Sequence, residues 1–289
     1  IITTATILLL AITGAEAQQQ MENSMSQYFR NRMLWNAGYT GADGNRLYAM
    51  QNRSWAGFDG APVMTSFSGE FNFGKNSAGG LQVLSDATGV LYRTYGMLNY
   101  AYRIQLGQEQ SLRLGVALAF NGDRLNNKQL DMSIPDPTIM NNINSKLQFD
   151  GNFGAVYQKG ALDVAVAFYR IGDNLRNSSS NNANLSVGQV GVGYRLKLTA
   201  DEKVQLKPLA MFRMYRETKS VLDIGAELGY HELLHVMAMY QSTGNIRAGA
   251  GLRKAGLGEA NFFYNTNTKV ANNASQQYEL GLAYYLNSK

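Results

Sequence analysis

From about residue 45 to residue 286 the sequence alternates apolar and polar residues with a period of two. That period belongs to strands whose two faces meet different media. In "SLRLGVALAFNG", Leu112, Leu114, Val116, Leu118 and Phe120 fall on one face, and Arg113, Gly115, Ala117, Ala119 and Asn121 on the other. In "YELGLAYYL", Tyr278, Leu280, Leu282, Tyr284 and Leu286 oppose Glu279, Gly281, Ala283 and Tyr285. About fourteen such segments follow one another, at 45–54, 62–73, 78–86, 91–105, 110–121, 147–158, 161–171, 184–198, 203–215, 219–231, 234–242, 245–254, 257–266 and 275–286. No helical periodicity intervenes.

The connections carry a second pattern. Those after the even-numbered strands are short: "GKNS", "GQEQ", "QKG", "TADEK", "ELL" and "AGLG". Those after the odd-numbered strands tend to be longer, notably 122–146, 172–183 and 267–274. Outer-membrane barrels are built this way, with short periplasmic turns and long outer loops. An even strand count puts both termini at the short-turn, periplasmic end.

Charge placement separates a lipid-facing barrel from a soluble sandwich. Glu70, Arg113, Asp150, Asp163, Arg195, Asp223, Glu227, Arg247 and Glu279 all fall on the face opposite the apolar row. A charge facing lipid at the bilayer midplane costs roughly 2–4 kcal/mol, whereas one facing a wet lumen costs little. A sandwich would also have shorter strands and more even loops. Thirty glycines, seventeen tyrosines, twelve phenylalanines and only 16% charged residues agree with long strands in a membrane. No apolar run reaches the ~20 residues of a spanning helix. The fold expected is all-β: a transmembrane barrel of about fourteen antiparallel strands in an up-and-down meander, over 45–289.

Upstream, "TATILLLAITGAEA" is an apolar run of export-signal length that ends in Ala15-Glu16-Ala17, a small-x-small cleavage site. Residues 1–17 are read as a signal peptide; without a start Met or basic n-region, it reads as truncated. Residues 18–44 contain Tyr28, Phe29, Trp35 and Tyr39 without strand alternation. A fourteen-strand lumen is too wide for wall side chains alone to fill. The segment 18–44 is therefore expected to pack at the periplasmic mouth as a plug-like element, with the loop 122–146 as a second segment able to narrow the lumen.

Other chemistry is weakly supported. "HELLH", His231 to His235, has the spacing of a zinc-peptidase motif. That motif needs a helix to bring both histidines to one face. Here it falls at a hairpin turn between two period-two strands, and these are the only histidines in the chain. In an extended strand the two would stand roughly 13 Å apart. The glycines of "GVGYR" follow no βα unit and read as small residues that let strands twist. No Gly-x-Ser-x-Gly elbow occurs, and the absence of cysteine excludes disulfides and thiolate sites. Net charge is +5, with Lys and Arg scattered singly, so no nucleic-acid stripe exists. No catalytic residue, cofactor or metal is assigned.

Three stretches carry a family resemblance. "SQYFRNRMLWNAGYTGADGNR" precedes the first strand, "RSWAGFDGAP" forms the first loop, and "LNYAYRIQLGQEQSLRLGVALAF" and "FDGNFGAVYQKGALDVAVAFYRI" lie in the wall. Together they resemble the PorP/SprF family of type IX secretion system membrane proteins from gliding and secreting Bacteroidota. The family pattern is Gln-Tyr-aromatic-x-Asn, then Asn-Pro-Ala-Tyr-Ala-Gly, then Arg-x-Gln-Trp-x-Gly-Phe-x-Gly-Ala-Pro. Gln27, Tyr28, Phe29 and Asn31 match its first part. Asn36, Tyr39 and Gly41 match the second, with Ala37, Gly38 and Thr40 departing from it. Arg53, Trp55, Gly57, Phe58, Gly60, Ala61 and Pro62 match the third, with Ser54 in place of Gln. These motif positions are the candidate partner contacts. Trp55 and Phe58 either anchor in the interfacial aromatic girdle or contact a partner.

The resemblance implies a non-enzymatic outer-membrane barrel, linked to periplasmic components of the secretion machine or to export and surface attachment of an adhesin-like cargo. Its partners would be membrane lipid, machine components and that cargo. A passive or substrate-selective porin is the alternative, and an outer-membrane hydrolase the third reading.

Overall fold

A computed structural model describes residues 26–55, 60–125, 147–176, 186–216, 218–268 and 276–286. The expected signal peptide, residues 18–25 of the expected plug-like segment, residues 126–146 of the expected loop 122–146 and the motif residues Gly57 and Phe58 lie outside them.

Fourteen strands run β1 Arg46–Ser54, β2 Val63–Phe73, β3 Ser77–Thr88, β4 Leu91–Gly107, β5 Gln110–Leu125, β6 Gln148–Lys159, β7 Leu162–Phe168, β8 Ser186–Tyr194, β9 Val204–Tyr215, β10 Val221–Tyr230, β11 Leu234–Gln241, β12 Asn245–Lys254, β13 Gly258–Asn267 and β14 Gln277–Tyr285. Each pairs antiparallel with its neighbours in sequence. The sheet then closes, with β1 pairing β14 from Arg46 opposite Tyr285 to Ser54 opposite Gln277. Closure removes the edges whose unpaired N–H and C=O groups lipid cannot satisfy.

The expected spans hold to within about two residues at their ends, with three larger differences. The fifth strand runs on to Leu125, so residues 122–125 of the expected loop 122–146 belong to it. The seventh strand stops at Phe168, and residues Ile171–Arg176 form a short helix, α1. The Asp150 carboxylate on β6 accepts from the N–H groups of Gly172 at 2.6 Å and Asp173 at 3.0 Å. It thus satisfies first-turn donors that a helix leaves open, a local use of Asp150 that periodicity does not reveal. The eighth strand is broken at Arg195 and resumes for Leu196–Lys197 against Leu206 and Gln205. Arg195 sits exposed at the break, with its N–H bonded to the Ala161 carbonyl at 3.0 Å.

The two faces separate cleanly. Phe67 is 62% exposed while its neighbour Ser66 is 3%, and Val116 is 54% exposed while Ala117 is 6%. Outward rows are Leu, Val, Ile and aromatic residues, as lipid requires. Of the nine strand charges assigned inward, Glu70, Arg113, Asp223, Glu227, Arg247 and Glu279 are buried in the interior, and Asp150 and Asp163 are half-buried.

The short-turn end is tight. Glu109, Glu202, His231 and Glu232 adopt positive φ there, as do Gly74, Gly160 and Gly256. His231 and Glu232 are the two central residues of a turn in which Leu233 N–H bonds the Tyr230 carbonyl at 3.0 Å. Two consecutive left-handed residues make the turn that matches strand twist. The "HELLH" segment is thus a hairpin: His231 packs on Tyr230 at the exposed turn, while His235 points inward to Asn261.

Arginine introduced at Val116, mid-strand on the outer face, is expected to destabilise the barrel in lipid vesicles by about 2–4 kcal/mol. Urea titration of the folded barrel checks it.

Candidate functional site: a segment fastened inside the lumen

The N-terminal segment does not stop at the mouth. Residues 26–45 lie within the lumen, bent by 3-10 turns at Arg32–Leu34 and Ala37–Tyr39. Ser26 and Gln27 sit at the level of Asn265 and Glu279, toward the long-loop half. The chain descends to Arg30 and Arg32 near the short-turn end, rises to Trp35, and descends again through Gly38 and Thr40 to β1. The physical reason is the bare wall. An added Cβ at Gly115 would stand 2.2 Å from the Ala37 carbonyl carbon, one at Gly154 2.0 Å from Asn36 Oδ1, and one at Gly80 2.4 Å from Met33 Sδ. These inward glycines on β3, β5 and β6 form the bed in which the segment lies. Gly191, read from sequence as a strand-twisting residue, lies against the Trp35 ring.

Aromatic and sulfur packing fills the centre. Tyr28, Trp35 and Tyr39 cluster with Val156, Leu209, Met211, Met237, Met239 and Phe263 from the wall. Trp35 and Tyr39 meet edge to face with ring centroids 4.8 Å apart, a preferred aromatic geometry.

Charge and hydrogen bonding fasten the segment on several sides. Arg30 pairs with buried Glu227, and with Glu259 at 3.3 Å. Arg32 bridges Asp43 at 2.6 Å and Asp163 at 3.2 Å, and its guanidinium lies 4.3 Å over the Tyr39 ring. Tyr39 hydroxyl donates to Asp163. Arg46 pairs with Glu70, whose other oxygen accepts the Gly41 N–H at 2.7 Å. Arg113 donates to the carbonyls of Gly38 at 3.2 Å and Thr40 at 3.0 Å. The Arg247 guanidinium donates to the Tyr28 hydroxyl, and Gln189 donates to the Trp35 carbonyl at 2.6 Å. Burying a carboxylate costs several kcal/mol unless it is paired and hydrogen-bonded. Most of the interior carboxylates meet this segment; pairs from wall to wall are Arg213 with Asp223 at 2.8 Å, Lys207 with Glu227 at 3.1 Å and Arg46, at the start of β1, with Glu70.

At the segment's lower end, burial pushes the Asp43 carboxyl up, but the guanidiniums of Arg32 and Arg46 outweigh it and hold it well below the usual range.

The motif positions divide between two places. Tyr28, Asn31, Asn36 and Tyr39 are buried in the lumen, and Phe29 packs against their cluster. Asn31 donates to Ser68 Oγ at 2.8 Å. Asn36 accepts the Gly38 N–H at 2.8 Å and donates to the Val166 carbonyl at 3.0 Å. Gly41 takes φ +70, and a Cβ there would meet Ala78 Cβ at 2.4 Å. Arg53, Trp55, Gly60 and Pro62 sit at the opposite, long-loop rim. Arg53 faces outward, exposed. Trp55 takes φ 51 and its N–H bonds the Gln276 carbonyl at 2.9 Å. The Gly60 and Pro62 carbonyls accept the N–H groups of Gly89 and Ser54. Sequence reading missed the fastening cations Arg30, Arg32 and Arg46. For Arg30 and Arg32 the available signal was their spacing among aromatics in a segment without alternation, facing a wall rich in carboxylates; Arg46 opens β1 and falls on its inward face.

Among the described residues no group of three or more His, Asp or Glu side chains is placed to hold a metal ion.

Two outcomes follow from this packing. Gly115→Val is expected to displace residues 26–45, since overpacking a well-filled interior costs about 1–3 kcal/mol; trypsin cleavage at Arg30 and Arg32 should rise while the circular dichroism of the wall persists. For Asp43, a folded-state pKa below the unfolded ~4 means stability present above that pH and lost as pH falls through the folded value. The difference in urea midpoint between wild type and Asp43→Asn should therefore be largest at neutral pH and shrink below about pH 4.

Comparisons with known proteins agree with the architecture. Among solved structures, the outer membrane protein Omp33 of Acinetobacter baumannii superposes with a TM-score of 0.51 at 8% identity, over 84% of this chain and 97% of that one. The toluene transporter TodX of Pseudomonas putida superposes with a TM-score of 0.53 at 8% identity, over 90% and 95%. At these identities the likeness is one of fold, the closed antiparallel β-barrel of outer-membrane proteins. A comparison with curated protein sequences returned no match. The family model described as type IX secretion system membrane protein PorP/SprF matches residues 17–284, and the chain belongs to that family.

Proposed function

We propose that this barrel acts as a closed, non-enzymatic adaptor of the type IX secretion machine, supporting export or surface attachment of a secreted, adhesin-like cargo. Its short-turn end would face the periplasm and meet machine components there. The long-loop rim, with Arg53, Trp55 and Pro62, would face the cell exterior.

One observation carries the reading over the porin alternative: the lumen is occupied by residues 26–45, fastened to several strands by ion pairs and packed on wall glycines. A diffusion pore needs a continuous wet path, and a buried aromatic and methionine cluster at the centre opposes one. Family membership supplies the secretion context.

In planar bilayers the wild-type protein is expected to be electrically silent, and Gly115→Val to conduct. Crosslinking and affinity purification from the native host should bring down a periplasmic secretion component together with a large surface protein. A steady wild-type conductance with neither companion would favour the porin.

A further inference from the structure

The short-turn mouth holds a cleft that the luminal fastening leaves open. It lies between β9, β10, β11 and β12, beneath Arg30, and is walled by Lys203, Lys207, Glu227, Glu232 and Arg253. Its floor is Gly229, where an added Cβ would meet nothing nearer than 4.0 Å. The space exists because an inward wall position carries no side chain.

The charges of the cleft fall into two tiers. At the back, buried Glu227 is satisfied by Arg30 and by Lys207 Nζ at 3.1 Å. At the front, Lys203 pairs with Asp201 at 2.7 Å, both side chains about half exposed. Arg253 reaches Glu232 only at 3.8 Å, and that glutamate is 78% exposed. Exposed pairs of this kind hold weakly, so an incoming carboxylate displaces Asp201 and Glu232 readily. The back carboxylate, held by its own cations, does not repel it strongly.

Spacing decides what the anion is. Lys207, four residues along the strand line and about 13 Å from Lys203, stays with Glu227, so the front cations are Lys203 and Arg253. Arg253 stands on β12, three strands from β9, about 14 Å away across the sheet. Cations so spread suit a chain carrying carboxylates at more than one position rather than a single phosphate. We propose that this cleft binds an extended acidic peptide segment of a periplasmic partner. The proposal rests on the reading above only in taking the short-turn end as periplasmic, and on no particular machine component.

The test uses the full-length protein in detergent micelles and a fluorescent eight-residue peptide of alternating glycine and glutamate, with its glutamine counterpart as reference. The glutamate peptide should bind about tenfold or more tightly than the glutamine one, with strong salt dependence. Lys203→Glu combined with Arg253→Glu should weaken it about tenfold or more. Gly229→Leu, which fills the floor without changing charge, should do the same. Lys197→Glu, a charge reversal of the same kind on an exposed residue outside the cleft, should leave affinity within about twofold. Circular dichroism confirms that each variant is folded. Equal binding of the two peptides, an equal loss from Lys197→Glu, or no loss from Gly229→Leu overturns the proposal. Displacement of the peptide by inorganic phosphate at equal concentration would also overturn it, in favour of a phosphate site. Peptide binding reads the cleft in isolation, whereas the crosslinked purification reads the machine, so failure of one is distinguishable from failure of the other.

Discussion

The ladder between β1 and β14 is the constraint on which the rest depends. In hydrocarbon every backbone donor and acceptor must find a partner within the protein, so the sheet has to close. Closing fourteen strands leaves a lumen wider than its own wall side chains can fill. The chain fills that space with the residues immediately before β1. The inward glycines and the interior carboxylates are consequences: the first make room for the segment, and the second meet its arginines, amides and backbone N–H groups.

The interior is stabilised by two different means with different tolerances. The cluster of Tyr28, Trp35, Tyr39, Phe263 and the wall methionines is non-directional, and methionine adapts to irregular gaps. The ion pairs are directional. A carboxylate such as Glu227 or Glu70 in the wrong register would be buried without compensation, which is strongly destabilising. Apolar packing therefore supplies much of the adhesion, while the charges select where along the wall the segment sits.

Much of this was legible from periodicity. The strands, the short turns and the inward placement of Glu70, Arg113, Asp223, Glu227, Arg247 and Glu279 follow from a period of two and the cost of charge in lipid. The "HELLH" segment was placed at its hairpin by the same means. What periodicity missed are local hydrogen-bond solutions, such as the helix α1 held by Asp150 and the break at Arg195. Aromatic content suggested a plug-like element at the mouth over 18–44; residues 26–45 lie deeper, in the lumen. Aromatic content marks a segment as one that packs, but carries no information about depth.

The barrel follows from the order of residues alone, because alternation is a local property that a membrane reads directly: each residue either faces lipid or does not. The family follows likewise from the motifs in the sequence. Folding in three dimensions was needed to bury Asn36 and Ala37 against Gly154 and Gly115 and to put Arg53, Trp55, Gly60 and Pro62 at the opposite rim. It alone brought Lys203, Lys207 and Arg253 around one bare glycine. Both outcomes depend on which residues face each other across the lumen, a relation set by closure and register over distances that no local pattern encodes.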